Sequence, residues 1–176
     1  MINVQQISQV YKPGAGSVLA NLLSVHAQRV AAVGPIQQRH DEVQDIVLDA
    51  RSRLSKLTYL TPLEAVAEWR QRQDAASLIL PLCEVELERV RRNAEQAALD
   101  VQNLIAQVQS LKVQRAELLD DSLPSQLSPS ARKAEAAKHE AQLKEWLGHA
   151  DLGPVTQDDK AAALSCAVMS RTVRSW

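Results

Sequence analysis

Apolar residues between Thr61 and Leu119 recur every three and then four positions, in one unbroken heptad frame. A helix places such positions on one face, whereas a strand alternates its side chains with period two. The pattern therefore predicts one long helix that needs packing partners along its whole length. The positions of this frame are Val66, Trp69, Gln73, Ala76, Leu80, Cys83, Leu87, Val90, Ala94, Ala97, Val101, Leu104, Val108, Leu111, Arg115 and Leu118.

A weaker heptad frame precedes it, from Ser17 to about Leu57, and polar side chains at His26, Arg29 and His40 interrupt it. The two histidines lie two heptads apart, about 21 Å along a helix, which is too far for one metal ion. A polar residue at such a position commonly fixes the register of paired helices. That is the interpretation we favour here.

The connection between the frames predicts a tight turn and the start of a helix. Thr61 is expected to cap the second helix, with Pro62 at its first position and Glu64 completing a capping box. A short connection between two heptad-patterned helices implies an antiparallel hairpin. Gly34-Pro35 predicts a kink or a break near Val33, and Pro81, at a similar height in the hairpin, predicts a joint.

Three further signals organise the ends of the chain. The Gly14-Ala15-Gly16 piece is interpreted as a turn that leads into Ser17 as a helix cap, because it lacks the ending of a phosphate loop. A helix is expected between a cap at Ser128 and a stop at Gly148, with an apolar stripe at Ala137, Ala141, Lys144 or Trp146, and Leu147. Thr156 with Asp159 is expected to cap a last helix.

The expected fold is therefore all-α: an elongated, coiled-coil-like antiparallel hairpin with two shorter C-terminal helices. These helices either fold back over the hairpin as a bundle or extend it. The predicted segments are a lead-in over residues 1–16, the hairpin over 17–119, a linker over 120–130 and a C-terminal helical segment over 131–176.

Composition supports thin helical seams rather than a thick globular core. The 176 residues are 45% hydrophobic but only 3% aromatic, with no phenylalanine. Aromatic side chains normally supply much of the core of a compact globule. Twenty basic and 21 acidic residues give a net charge of −1, and the arginine clusters alternate with glutamate. We therefore expect no nucleic-acid partner.

Cys83 lies in the heptad frame and Cys166 stands alone, so neither a disulfide framework nor a reactive thiol is expected. No apolar run approaches the roughly 18 residues of a membrane span, and no secretory signal is visible. The expected location is the cytoplasm at synthesis. Export by a signal-free route and packaging into a virus particle both remain open.

The sequence offers no strong catalytic, metal or cofactor motif. His139-Glu140 lacks the second histidine of a zinc-protease helix, and Glu135 with His139 is interpreted as a surface pair. The carboxylate pairs Asp120-Asp121 and Asp158-Asp159 lie at helix ends, where capping explains them. We assign no catalytic residue, no metal ligand and no cofactor, and expect no enzyme activity.

The function expected is that of an interaction or assembly protein, which binds protein partners or copies of itself through its heptad seams. In length and two-helix form the chain resembles the coiled-coil stalk proteins of flagellar and type III export machines. In its alanine- and glutamine-rich helical composition it is similar to internal proteins of short-tailed phages. The alternatives are a small helical effector or toxin, its neutralising partner, or a chaperone or adaptor. The candidate partner-binding surface, where the second helix outruns the first, comprises Leu104, Val108, Leu111, Arg115 and Leu118.

Overall fold

The chain is built of helices. The computed structural model describes residues 4–120, 122, 126–149, 153–161, 163 and 164. The helices are α1 (Val4–Tyr11), α2 (Val18–Ala31), α3 (Val33–Ser55), α4 (Leu63–Leu119) and α5 (Pro129–Leu147). Residues 157–161 are also helical, and no strand occurs within the described residues. The all-α prediction is confirmed.

These helices belong to two compact units. Unit 1 comprises Met1–His26 and Ala97–Trp176, and unit 2 comprises Ala27–Gln96. Helices α2 and α4 each contribute residues to both units.

Helix α4 is 57 residues long, and its heptad frame marks the side that other helices cover. Every position of the frame from Val66 to Leu118 is buried or half-buried. Before Ala97, residues between these positions are mostly exposed, whereas after it Ile105, Gln109 and Val113 are buried as well. The apolar period of the sequence therefore identifies the packed face of α4 in its first half, and only part of the covered surface in its second half.

In unit 2, α3 and the first half of α4 form an antiparallel pair. Near one end of the pair, the Arg91 guanidinium of α4 donates to the side-chain carbonyl of Gln37 on α3 at 2.5 Å. Near the other end, the Arg53 guanidinium lies 5.8 Å from the centre of the Trp69 ring. Early residues of one arm thus meet late residues of the other, and the prediction of a hairpin is confirmed.

The two prolines behave differently. The chain breaks between Ala31 and Val33, as predicted, because Pro35 has no N–H to donate to the carbonyl of Ala31. At Pro81 the helix is not interrupted, since α4 continues through this residue. Pro81 is exposed, while Leu80 and Cys83 beside it are covered. Packing of the seam residues thus outweighs the local preference of proline to end the helix.

The turn before α4 differs from the predicted capping box by one position. The first helical hydrogen bond runs from Val66 N–H to the carbonyl of Pro62, so Pro62 precedes the first helical residue, Leu63. The Thr61 hydroxyl accepts a hydrogen bond from Thr58 N–H at 3.0 Å. Thr61 therefore closes the turn between the two arms.

The core of unit 1 forms where helices that precede and follow α4 in the chain pack on its second half. Helices α1, α2 and α5 all contribute fully buried side chains to it. Of the two arrangements that the sequence left open for α5, the structure shows the folded-back one. The buried core residues are Ile7, Leu19, Val101, Leu104, Ile105, Val108, Leu143 and Leu147.

Side-chain caps fix the helix ends in unit 1 as predicted. The hydroxyl of Ser17 accepts from Ala20 N–H and that of Ser128 accepts from Ala131 N–H, both at 3.2 Å. Such bonds satisfy donors that a helix start would otherwise leave unpaired. Gly148 ends α5 in the left-handed conformation, at φ +80°.

The predicted apolar stripe of α5 is confirmed at Leu147, which is buried, and at Trp146, which packs against the core, but it is wrong at its alanines. Ala137 and Ala141 are exposed, whereas Ala136 and Leu143 are buried. Alanine occurs on every side of this helix, so its spacing carries little information about the covered face.

Two glycines hold the ends of unit 1 together. The N–H of Gly14, in the turn between α1 and α2, donates to the carbonyl of Leu147 at 2.7 Å. A Cβ atom added to Gly148 would lie 2.8 Å from the Cα atom of Gly14. The imidazole Nε2 of His149 lies 2.8 Å from the carbonyl oxygen of Tyr11. The backbones therefore meet at a distance that only glycine permits.

We expect Gly148→Ala to lower the free energy of unfolding by about 2 kcal/mol or more. Part of this cost, about 1 kcal/mol, comes from a side chain at positive φ, and the rest from the collision with Gly14. Gly153→Ala is the matched control, because Gly153 also has positive φ, +62°, but open space around it. Urea unfolding of both variants measures the difference. Equal losses would show that the close approach contributes nothing.

Candidate interaction surfaces

The predicted partner-binding surface on the second half of α4 lies inside unit 1. Leu104 and Val108 are buried in its core, and Leu111 packs against that core. Arg115 and Leu118 are half-buried. The structure thus brings all five residues onto one face, but other parts of the same chain cover that face.

An ion pair secures this cover at its polar end. The guanidinium of Arg115 donates to the carboxylate of Glu140 on α5 at 2.9 Å. Hydrogen bonds from Lys144 and Arg115, together with their positive charges, lower the pKa of Glu140. In unit 1, α5 therefore folds back onto this seam and covers it.

A second polar contact anchors the residues that follow α5. The Lys112 ammonium donates to the Asp159 carboxylate at 2.7 Å, and both side chains are largely buried. The same carboxylate accepts from the N–H and hydroxyl of Thr156, and Asp159 N–H donates back to that hydroxyl at 3.2 Å. The predicted cap of the last helix is thus confirmed, and Lys112 ties it to α4.

This contact perturbs the titration of two side chains. Burial acts to raise the pKa of Asp159, but the hydrogen bonds from Lys112 and Thr156 and the lysine charge outweigh it and lower the pKa. Burial and the nearby charge of Asp159 raise the pKa of Tyr11, against a hydrogen bond with Gln109. Unit 1 thus contains a compact cluster of polar groups beside its apolar core.

Three other titratable residues singled out in the sequence have local partners, whereas the buried Nδ1 atom of His139 neither accepts nor donates a hydrogen bond among the described residues. Glu135 accepts from Lys138 at 2.8 Å, and the Asp120 carboxylate accepts from the N–H and hydroxyl of Ser122. His40 Nδ1 lies 3.0 Å from the Asp41 carboxylate. Asp121 and Cys166 lie outside the described residues. Among the described residues, no group of three or more potential metal ligands comes together.

A different apolar surface is exposed in unit 2. On α4, Leu78, Leu82 and Val85 are 77%, 70% and 69% exposed. Their spacing, four and then three residues, places them in one row on the helix. Large apolar side chains that share an exposed row commonly mark an interaction site. We call these three residues the apolar row.

The apolar row adjoins a groove between α3 and α4. Ile79, one position from Leu78, lies at its edge, and Ile46 of α3 lies across it; both are partly exposed. The groove encloses about 570 Å³, and Val43, Ala50 and Ala76 form its apolar floor. We call the row and the groove together the apolar surface of unit 2.

The heptad frame did not predict this surface, although the sequence contains a signal for it. The segment from Leu78 to Val85 is apolar at more positions than the seam requires, since Leu78, Leu82 and Val85 lie outside the heptad frame. A helix that is apolar on two sides has two sides to cover. The heptad frame of the seam describes only one of these two sides of α4.

Comparisons with protein-family models, with curated proteins and with solved structures found no match to this chain. Among the described helices, none combines the length and the apolar character of a transmembrane span. The candidate site therefore rests on the geometry of unit 2.

Leu104→Ala is expected to lower the free energy of unfolding by about 2–4 kcal/mol, because it leaves a cavity in the core of unit 1. Leu99→Ala, on the same helix, is the control: Leu99 is 50% exposed, against 7% for Leu104. Its expected cost is about 0.5 kcal/mol. Chemical denaturation distinguishes the two. Similar small losses would mean that Leu104 lies on a free surface after all.

Asp159→Asn is expected to lower the free energy of unfolding at neutral pH by about 2 kcal/mol, since it leaves the buried Lys112 charge uncompensated. Because the folded-state pKa of Asp159 is lowered, its contribution is present above the unfolded value of about 4 and is lost as the pH falls further. The Asp159→Asn variant should therefore lack this part of the fall in the free energy of unfolding at acidic pH.

Asp158→Asn removes the same charge at an exposed neighbouring position and serves as the control. Denaturation measured between about pH 7 and pH 3 follows both variants through this range. If the two variants gave the same pH profile, the Lys112–Asp159 pair would not stabilise unit 1.

Proposed function

We propose that this chain is a non-enzymatic helical assembly protein, and that it binds protein through the apolar surface of unit 2. The observation that carries the proposal is the apolar row, Leu78, Leu82 and Val85, whose members are 77%, 70% and 69% exposed. Removing apolar area from water is favourable by about 25 cal/mol per Å², a gain that offsets the entropic cost of association. A row of this kind on a rigid helix is the usual basis of helix-to-helix association.

The neighbourhood of the row fits a protein partner. The groove beside it offers an apolar depression that a side chain of a second helix can fill. Charged residues of both signs, among them Arg72 and Glu86, flank the row. An apolar centre with a mixed polar rim has the composition of a protein–protein interface.

The contacts of several acidic and basic side chains support a non-enzymatic role. Glu135, Asp120 and Asp159 accept hydrogen bonds that hold helices and turns in place. Arg115 and Lys112 bind carboxylates across the packed helices of unit 1. These residues serve the structure of the chain, and the apolar surface of unit 2 is left as the candidate for function.

Site-specific photo-crosslinking in the source cell tests the proposal. A photoreactive phenylalanine analogue at Leu82 is expected to form a covalent adduct with a protein, because this side chain lies at the centre of the row. The control carries the analogue at Glu95, an exposed position on another side of the same helix. It is expected to give little adduct.

Mass spectrometry of the adduct then identifies what was bound. A specific adduct at position 82, whether with a copy of the chain or with another protein, supports the proposal. Equal yields at positions 82 and 95, or no adduct at either, would contradict it.

A further inference from the structure

The apolar row belongs to a second heptad stripe on α4, distinct from the seam that α3 covers. Reading outward from Leu82 in steps of three and four gives Leu78 and Ala75 on one side, and Val85 and Arg89 on the other. Gln71 extends the stripe at its first end. Unlike the seam, this stripe is mostly exposed. It therefore has the spacing of a helix-pairing surface, and its side chains are exposed among the described residues.

The stripe is complementary to itself when two copies run antiparallel. Placing Leu82 of one copy against Leu78 of the other sets Ala75 against Val85, so that a large side chain meets a small one. A two-fold axis repeats both contacts, because the same patch serves on each copy. Ile79, at the edge of the groove, then approaches Ile79 of the second copy near the axis. The apolar surface of unit 2 is thus covered without another kind of partner.

The charged residues beside and within the stripe favour antiparallel over parallel pairing of the two copies. A parallel pair would set Arg89 against Arg89 of the second copy within the interface. The antiparallel pair sets Arg89 against Gln71 instead. It also brings Arg72 beside Glu86 of the second copy, at the flanking positions where ion pairs fix the orientation of coiled helices. Symmetry makes this pair twice.

The two side chains of this pair have partners on their own helix that they can exchange. Arg72 is paired with Glu68, and Glu86 lies 3.9 Å from Arg89; Glu86 is partly exposed and the other three side chains are exposed. Exposed pairs of this kind contribute little and exchange partners readily.

On the opposite flank, the pairing sets Asp74 near Glu88 of the second copy. Arg92 already binds Glu88 at 2.7 Å and neutralises it. Arg89, which lies on the stripe, follows Glu88 directly in the sequence. The arginines thus limit the repulsion between the two carboxylates.

We propose that unit 2 pairs with a second copy of this chain through α4, antiparallel, with Leu78 against Leu82 and Arg72 against Glu86. This inference rests on the proposed function, whose surface it uses, and names the partner. The contacts are isologous, so the product is a closed dimer.

Sedimentation of the full chain over a range of concentrations tests the pairing. The wild type is expected to dimerise and Leu82→Gln to remain a monomer. Leu48→Gln is the control, since Leu48 is also exposed but lies on α3 outside the surface; it should dimerise as the wild type does. Circular dichroism confirms that each variant is folded, as the exposed positions lead us to expect.

Charge reversal tests the register. Arg72→Glu and Glu86→Arg each create two like-charge contacts, and each is expected to weaken dimerisation by about tenfold or more. Mixing the two variants restores opposite charges at both contacts, so an equimolar mixture should form a heterodimer of near wild-type affinity. The double variant R72E/E86R should dimerise with itself.

A monomeric wild type, or a dimer that survives Leu82→Gln, would overturn the proposal. So would single variants that weaken dimerisation but are not rescued by mixing. A monomeric wild type together with an adduct to another protein at position 82 would leave the proposed function standing and remove only this inference. Absence of both dimer and adduct would remove both.

Discussion

The need to cover one face of α4 governs the structure. That face runs through 57 residues of helix, and an apolar stripe of such length is not stable in water by itself. In unit 2 the cover is α3, joined to α4 by a short turn. In unit 1 it is assembled from α1, α2 and α5. Helix α4 is thus covered by helices that precede it and by a helix that follows it in the chain.

The two kinds of cover leave different surfaces behind. Several helices meet in unit 1, and the side chains of Val101, Val108 and Leu143 lose almost all contact with water. Unit 2 has one helix laid along another, so α4 there has a side that α3 does not reach. The apolar row lies on that side. A chain poor in aromatic residues has few other means of covering it.

The polar groups of unit 1 hold the helices that cover its seam in place. Arg115 and Lys112 extend from α4 and bind carboxylates that follow it in the chain, Glu140 and Asp159. Separating these elements would leave charged groups without partners in partly buried positions, which is costly. The glycine contact between Gly14 and Gly148 adds a close backbone fit. Association at the exposed surface of unit 2 requires no such rearrangement.

The sequence by itself determined the helices, most of their ends and the seam of α4. Heptad spacing and the caps at Ser17, Ser128 and Gly148 depend on neighbours within a few turns, so the local sequence encodes them. Only the tertiary structure decided that α4 continues through Pro81 and that α5 folds onto Leu104 and Val108. It also decided which side of α4 stays exposed. These outcomes depend on contacts between residues distant in sequence, and the heptad pattern, which repeats along the chain, does not specify which distant helix covers each part.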